Sequence, residues 1–189
     1  MTKKFGFTLS EILITLAIIG IVAAMTVPTI ISKYSTSEYS ARTKKAYGLV
    51  SGVFEEAWRN SGVDNVSKLT EAHLRKAVED TLRTRAGSFS NTQNLSGNGS
   101  ATPATTYTYT VPDGSTFGFS RNGNAYTVII DCNGKKGPNQ WGRDVYRFTV
   151  SGGDPTLRPD ATNDCSATGH NVGYGCSKAL MQNGWEIDW

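Results

Sequence analysis

From Phe7 to Ile31 the chain runs for 25 residues with one charged side chain, Glu11. Wound as a helix at 1.5 Å per residue, this stretch would reach roughly 37 Å, enough to cross a bilayer core of about 30 Å with some tilt. Beyond Ile31 the pattern turns from uniformly apolar to amphipathic. Ala46/Tyr47, Val50, Val53/Phe54 and Ala57/Trp58 recur at i, i+3, i+4 and i+7, with Lys44, Lys45, Glu55, Glu56 and Arg59 mostly off that stripe. The spacing predicts that one helix continues over 32–60 and stops at Ser61-Gly62. Its aromatic residues, Tyr47, Phe54 and Trp58, read as core. A second amphipathic helix is predicted over Leu69–Arg83, with Leu74, Val78 and Leu82 at i+4 spacing.

The period then changes to two. Tyr107/Tyr109/Val111, Phe117/Phe119, Tyr126/Val128/Ile130 and Tyr146/Phe148/Val150 alternate with polar or small residues. Pro112-Asp113-Gly114 and Asn122-Gly123 supply tight turns between them. Consecutive short strands of this kind predict an antiparallel meander, one face packed on the amphipathic half of the first helix. The fold class expected is therefore α+β. Residues 87–104 are rich in Gly, Ser, Asn and Thr and predict a loop; the sequons at Asn94 and Asn98 within it are read as chance.

Composition adds the topology. Mean hydropathy is −0.33 over 189 residues, the value of a soluble protein, so the apolar residues are concentrated in the first segment. Lys3 and Lys4 precede that segment and no basic residue returns until Lys33, which places the N-terminus in the cytoplasm and everything after Ile31 outside. Of the 19 Lys/Arg and 16 Asp/Glu, only Lys3, Lys4 and Glu11 precede Ser32. The remainder is nearly balanced and gives no support to nucleic-acid binding. Outside the cytoplasm, Cys165 and Cys176, which enclose ten residues, would close a short loop as a disulfide. Cys132, next to Val128, Ile129 and Ile130, is read as a free, half-buried small hydrophobe.

Glu11 needs its own explanation, because a lone carboxylate in a membrane helix is penalised by roughly 2.5–3.5 kcal/mol at the helix centre on the scale measured for Asp. A cleaved secretory signal would carry neither this charge nor an apolar run continuing through Val27, Ile30 and Ile31. The segment KKFGFTLSEILITLAIIGIVAAMTVP resembles the N-terminus of type IV pilins and type II secretion pseudopilins. That resemblance implies a leader over 1–6, prepilin peptidase cleavage between Gly6 and Phe7, and N-methylation of Phe7. It makes Glu11 the acidic assembly residue and Pro28 the helix-bending proline. It also implies a pilin-like fold divided into the leader (1–6), a transmembrane and assembly helix (7–31), an amphipathic continuation (32–60) and an extracytoplasmic α+β domain (61–189). In a bundle of such helices the Glu11 carboxylate would pair with the Phe7 amine of a neighbour, a charge tolerated because it is paired. Gly20, Ala17, Ala23 and Ala24 would let helices approach closely, and Pro28 would bend or loosen the helix.

The loop DCNGKKGPNQWGRD, Asp131–Asp144, resembles a segment recurrent in pilin-like proteins of type II secretion. Asp131, Asn133, Asn139 and Asp144 are hard oxygen donors on a Gly/Pro-rich loop, the ligand type calcium takes. Lys135, Lys136 and Arg143 oppose a cation there, and Asx and Gly residues also simply build turns. Trp185 and Trp189 are expected to pack. His73 and His170 stand in unrelated contexts, and Gly173-Tyr174-Gly175 lacks the helix a nucleotide-binding loop requires. The expectation is a structural subunit, not an enzyme, first in the cytoplasmic membrane and then in an extracytoplasmic filament of like or mixed subunits. Prepilin peptidase and a separate assembly ATPase are the implied partners. The alternative is a monomeric membrane-anchored extracytoplasmic binding module.

Overall fold

The computed structural model describes residues 6–82, 107–134, 136–137, 139–160, 165 and 175–187. Outside them lie leader residues 1–5, the loop 87–104 with its sequons, Arg83, Lys135, His170, Gly173, Tyr174 and Trp189. The chain divides into two compact units, Met1–Thr36 and Ser37–Trp189, and helix α1 (Leu9–Ser61) contributes to both.

In the first unit α1 exposes its large apolar side chains from Leu9 to Tyr34. This helix is long and apolar enough to cross a membrane. Pro28 lies inside it without ending it. The end comes where the sequence predicts it: Gly62 takes φ +65°, the left-handed conformation that stops a helix at little steric cost.

The second unit is the α+β domain. Helix α2 (Glu71–Leu82) starts two residues later than the apolar pattern suggests, because Thr70 caps it. The His73 N–H donates to Thr70 Oγ1 at 3.3 Å, and the Thr70 N–H donates to His73 Nδ1 at 3.4 Å. Among the described residues the sheet has five strands: β1 (Tyr107–Thr110), β2 (Thr116–Asn122), β3 (Ala125–Asp131), β4 (Val145–Ser151) and β5 (Arg158–Pro159). Their order is sequential and every neighbouring pair is antiparallel. The first predicted turn lies where expected, and the second falls one residue later, on Gly123-Asn124, because Asn122 still pairs with Ala125. Asp113 Oδ1 accepts both the N–H and the hydroxyl of Ser115, and Gly123 takes φ +59°.

Register places Phe117 opposite Ile130, Phe119 opposite Val128, and Val128 opposite Phe148. These residues share the inner face, buried with Val50, Val53, Phe54 and Ala57 of α1 and Leu74 and Val78 of α2. Phe54 meets Phe119 and Tyr126 edge to face, with ring centroids 6.2 and 5.8 Å apart. The amphipathic half of α1 is thus the third wall of the domain core. Three elements were not expected from the pattern: a 3-10 turn (Val66–Lys68), the two-residue β5, and helix α3 (Cys176–Gln182). All are too short to show a period.

Candidate functional site

Two places carry chemistry: the start of α1 and the loop between β3 and β4. Gly6 and Phe7 precede the helix and Phe7 is exposed. Glu11 lies in the first helical turn. Its Oε2 accepts the Thr8 N–H and the Thr8 hydroxyl, each at 2.8 Å, while the Glu11 N–H donates back to Thr8 Oγ1 at 3.3 Å. The sequence reading singled out Glu11 and passed over Thr8. The S/T-x-x-D/E pattern that would have revealed the pair was present as Thr8-Leu9-Ser10-Glu11.

The β3–β4 loop is built around its two carboxylates. Asp131 ends β3, and its Oδ1 accepts the N–H groups of Asn133 (3.1 Å) and Gly134 (2.8 Å). Asp144 stands at the far end of the loop. Its Oδ2 accepts the Asn139 N–H at 2.7 Å and Asn133 Nδ2 at 3.0 Å, and its Oδ1 accepts the Gln140 N–H at 2.6 Å. The Cys132 N–H donates to the Asp144 carbonyl at 2.9 Å and closes the base. The Asn139 amide faces the carbonyls of Gly134 and Lys136, to which its nitrogen donates at 3.0 Å each. Gly134 has φ +64° and packs on the β1–β2 turn, where an added Cβ would fall 2.4 Å from the Gly114 carbonyl oxygen. No other residue fits there without moving the turn.

Of the four predicted donors, Asp131, Asn133 and Asp144 are brought together and buried, and Asn139 is half-buried beside them. Asp131 Oδ2 and Asn133 Oδ1 are buried without a hydrogen-bond partner among the described residues. Burial and the Asp144 charge push the Asp131 carboxyl up to about 8, and burial also raises Asp144. Among the described residues no three His, Cys, Asp or Glu side chains converge. A cation here would therefore meet two carboxylates plus amide and main-chain oxygens, a hard donor set. The loop also has a packing role that its polar composition concealed. Trp141 is buried with Ile129 and Val145 in a small cluster of its own. Strand alternation puts Ile129 and Val145 on the sheet face opposite the main core.

Cys132 is buried, its thiol pushed up to about 12 by burial. Cys165 and Cys176 form the expected disulfide. Cys176 opens α3, and the next residue, Ser177, accepts the Asp160 N–H on its Oγ at 3.0 Å. Asp160 Oδ2 in turn meets Arg147 Nε of β4 at 2.9 Å. Trp185 packs on Tyr47 of α1, ring centroids 5.0 Å apart. The C-terminal helix is thereby fastened to the sheet and to α1. His73 is spent on the α2 cap.

Residues 1–27 match the family model of the prokaryotic N-terminal methylation motif, the signature of type IV pilins and pseudopilins. No curated protein and no solved structure matches the chain.

Proposed function

We propose that this chain is a structural subunit of a type IV pilus or type II secretion pseudopilus. In this reading prepilin peptidase cleaves it between Gly6 and Phe7, Phe7 is N-methylated, and residues 7–31 hold it in the cytoplasmic membrane with the C-terminal domain outside. Subunits, identical or mixed, then polymerise through α1 with a separate ATPase supplying the force. The observation that carries this reading is the methylation motif opening a 53-residue helix. Its first part exposes apolar side chains and its last part builds the core of a folded domain. A lone membrane anchor has no need of that helix, of Glu11, or of a processing site. The role asked of the chain is packing, not catalysis.

Mass spectrometry of the native N-terminus tests the proposal, with N-methylated Phe7 as the expected first residue. A chain starting at Met1 in cells that contain the peptidase would favour the monomeric membrane-anchored binding module instead. Glu11→Ala is expected to be processed and inserted but to fail in assembly, and filaments at normal levels would remove the pairing role of Glu11.

A second reading attaches to the β3–β4 loop and rests on the two buried oxygens without partners, Asp131 Oδ2 and Asn133 Oδ1. Calcium held there would take these two oxygens and Asp144, and would keep Asp131 ionised. Asn139 is the least suited of the four, its amide being turned to carbonyls as a donor. Calcium in excess is expected to raise the unfolding temperature of the chain, with Asp131→Asn abolishing the rise. A transition unchanged between calcium and chelator would discard the site.

A further inference from the structure

Beyond its apolar segment, α1 repeats itself with the charge reversed. Residues 37–47 read SEYSARTKKAY and residues 48–58 read GLVSGVFEEAW. Set eleven residues apart, Ser37 falls on Gly48, Ala41 on Gly52, Ala46 on Ala57 and Tyr47 on Trp58. At one place the chemistry inverts: Lys44-Lys45 falls on Glu55-Glu56. Eleven residues make close to three turns of 3.6, so each position and its repeat lie on the same face of the helix.

The fold accounts for half of this pattern. Ala46 and Ala57 are buried, and Tyr47 and Trp58 pack against the core. The other half faces outward: Ser37, Ala41, Lys44, Gly48 and Glu55 are exposed, with Gly52 half-buried among them. Nothing in the domain requires these residues. A Cβ added at Gly48 or Gly52 would meet no atom within 4 Å, and neither glycine has a positive φ. In a helix interior only proline is less favourable than glycine, so both weaken α1 without serving the contacts of their own chain. Lys44 and Glu55 form no ion pair among the described residues, whereas Lys45 is held by Asp113 at 2.6 Å and Glu56 by Arg59 at 3.3 Å.

We propose that this outward face receives the α1 of a second copy, parallel to it and shifted eleven residues along the axis, about 16 Å at 1.5 Å per residue. The shift sets Lys44 opposite the second copy's Glu55. It also sets Ser37 opposite Gly48 and Ala41 opposite Gly52, so short side chains meet short ones and the two helices approach closely. This rests on the reading that subunits polymerise through α1, and copies drawn from one membrane share one orientation. The shift gives the contact a direction. Two copies at equal depth would set Lys44 against Lys44 and Glu55 against Glu55, and like charges repel. Only a copy displaced along the axis meets opposite charges. The face therefore disfavours side-by-side pairing in the membrane and favours the stagger of a filament. Pairing of Glu11 with a Phe7 amine four residues away calls for a smaller shift, and so for a different neighbour of the same helix.

The test uses the full chain in cells that assemble it. Lys44→Glu alone and Glu55→Lys alone are each expected to give about tenfold fewer filaments, because an exposed attraction of modest size becomes a repulsion. The chain carrying both reversals regains opposite charges at this shift and is expected to recover near-normal filaments. Gly48→Leu is expected to block assembly while the unfolding temperature of the chain in detergent is no lower than in the wild type, since the added side chain meets only open space within the domain. Ala41→Cys with Gly52→Cys in one chain, oxidised in intact filaments, is expected to give a ladder of multimers, and either change alone to give none, as a head-to-tail contact requires. Cys132 is buried and Cys165 and Cys176 are bridged to each other, so none of them competes. Normal assembly of either single reversal, no recovery in the double reversal, or dimers from a single cysteine variant overturns the proposal. If the wild-type chain forms no filament, the polymerisation reading itself has failed. If it does and the double reversal does not recover, only this contact falls.

Discussion

Asp131 is buried beside Asp144, and burial together with that neighbouring charge moves its carboxyl from an ordinary 3.8 to about 8. The folded chain therefore binds a proton at Asp131 more tightly than the unfolded chain does between these values. Stability from this group is fully present below about pH 4 and is lost as pH rises through about 8. Asp144, also raised, contributes with the same sign. Asp113 contributes the opposite sign in a lower window. Burial works against its charge, but Lys45 and Ser115 hold it down to about 2, so its contribution is lost only as pH falls below 3.8. Unfolding measured in chelator across pH 4–8 should show stability falling with pH. Asp131→Asn, which keeps an oxygen for the Asn133 and Gly134 amides, should flatten that slope. At this scale the sequence singled out Asp131, Asn133, Asn139 and Asp144 as candidate oxygen donors from residue type alone. It did not reveal that Asp144 is occupied by main-chain amides, because those contacts exist only once the loop is folded.

The disulfide and α3 belong to the scale of elements. Seven residues of helix cannot hold themselves together in water, and α3 is maintained by the Cys165–Cys176 bridge, the Asp160–Ser177 hydrogen bond and the buried Leu180. Replacing both cysteines by serine is expected to lower stability by about 3 kcal/mol in the chain-entropy account of a loop this size, read from denaturant unfolding of the full chain in detergent. The long half-buried helix is the opposite case. Phe54 is fully buried between Phe119 and Tyr126, and Phe54→Ala is expected to cost about 3–5 kcal/mol, with far smaller effects at the exposed Glu55. The period of 3.6 in α1 and the period of two in β1–β4 were legible because each was sustained over several residues. β5 and the 3-10 turn were not, since two or three residues establish no period, and the seven residues of α3 make only about two helical turns, too few for a period of 3.6 to show.

At the scale of the whole molecule, one helix serves two compact units. Deleting residues 1–36 should leave a soluble, monomeric domain that keeps its disulfide and its circular dichroism. Deleting residues 1–61 removes Val50, Val53, Phe54 and Ala57 from the core and should leave a chain without a cooperative unfolding transition. Both outcomes follow from where the apolar surface is buried. What the sequence by itself determined was the long apolar first helix, the N-terminal methylation motif, the α+β class and the sequential antiparallel strand order, because hydrophobic period and short motifs are local properties of the chain. Only the tertiary structure decided that Trp141 covers Ile129 and Val145, and that two carboxylates 13 residues apart share one buried loop. Each of these depends on atoms being brought together in space, and hydrogen-bond and burial energies act on distance, not on position along the chain.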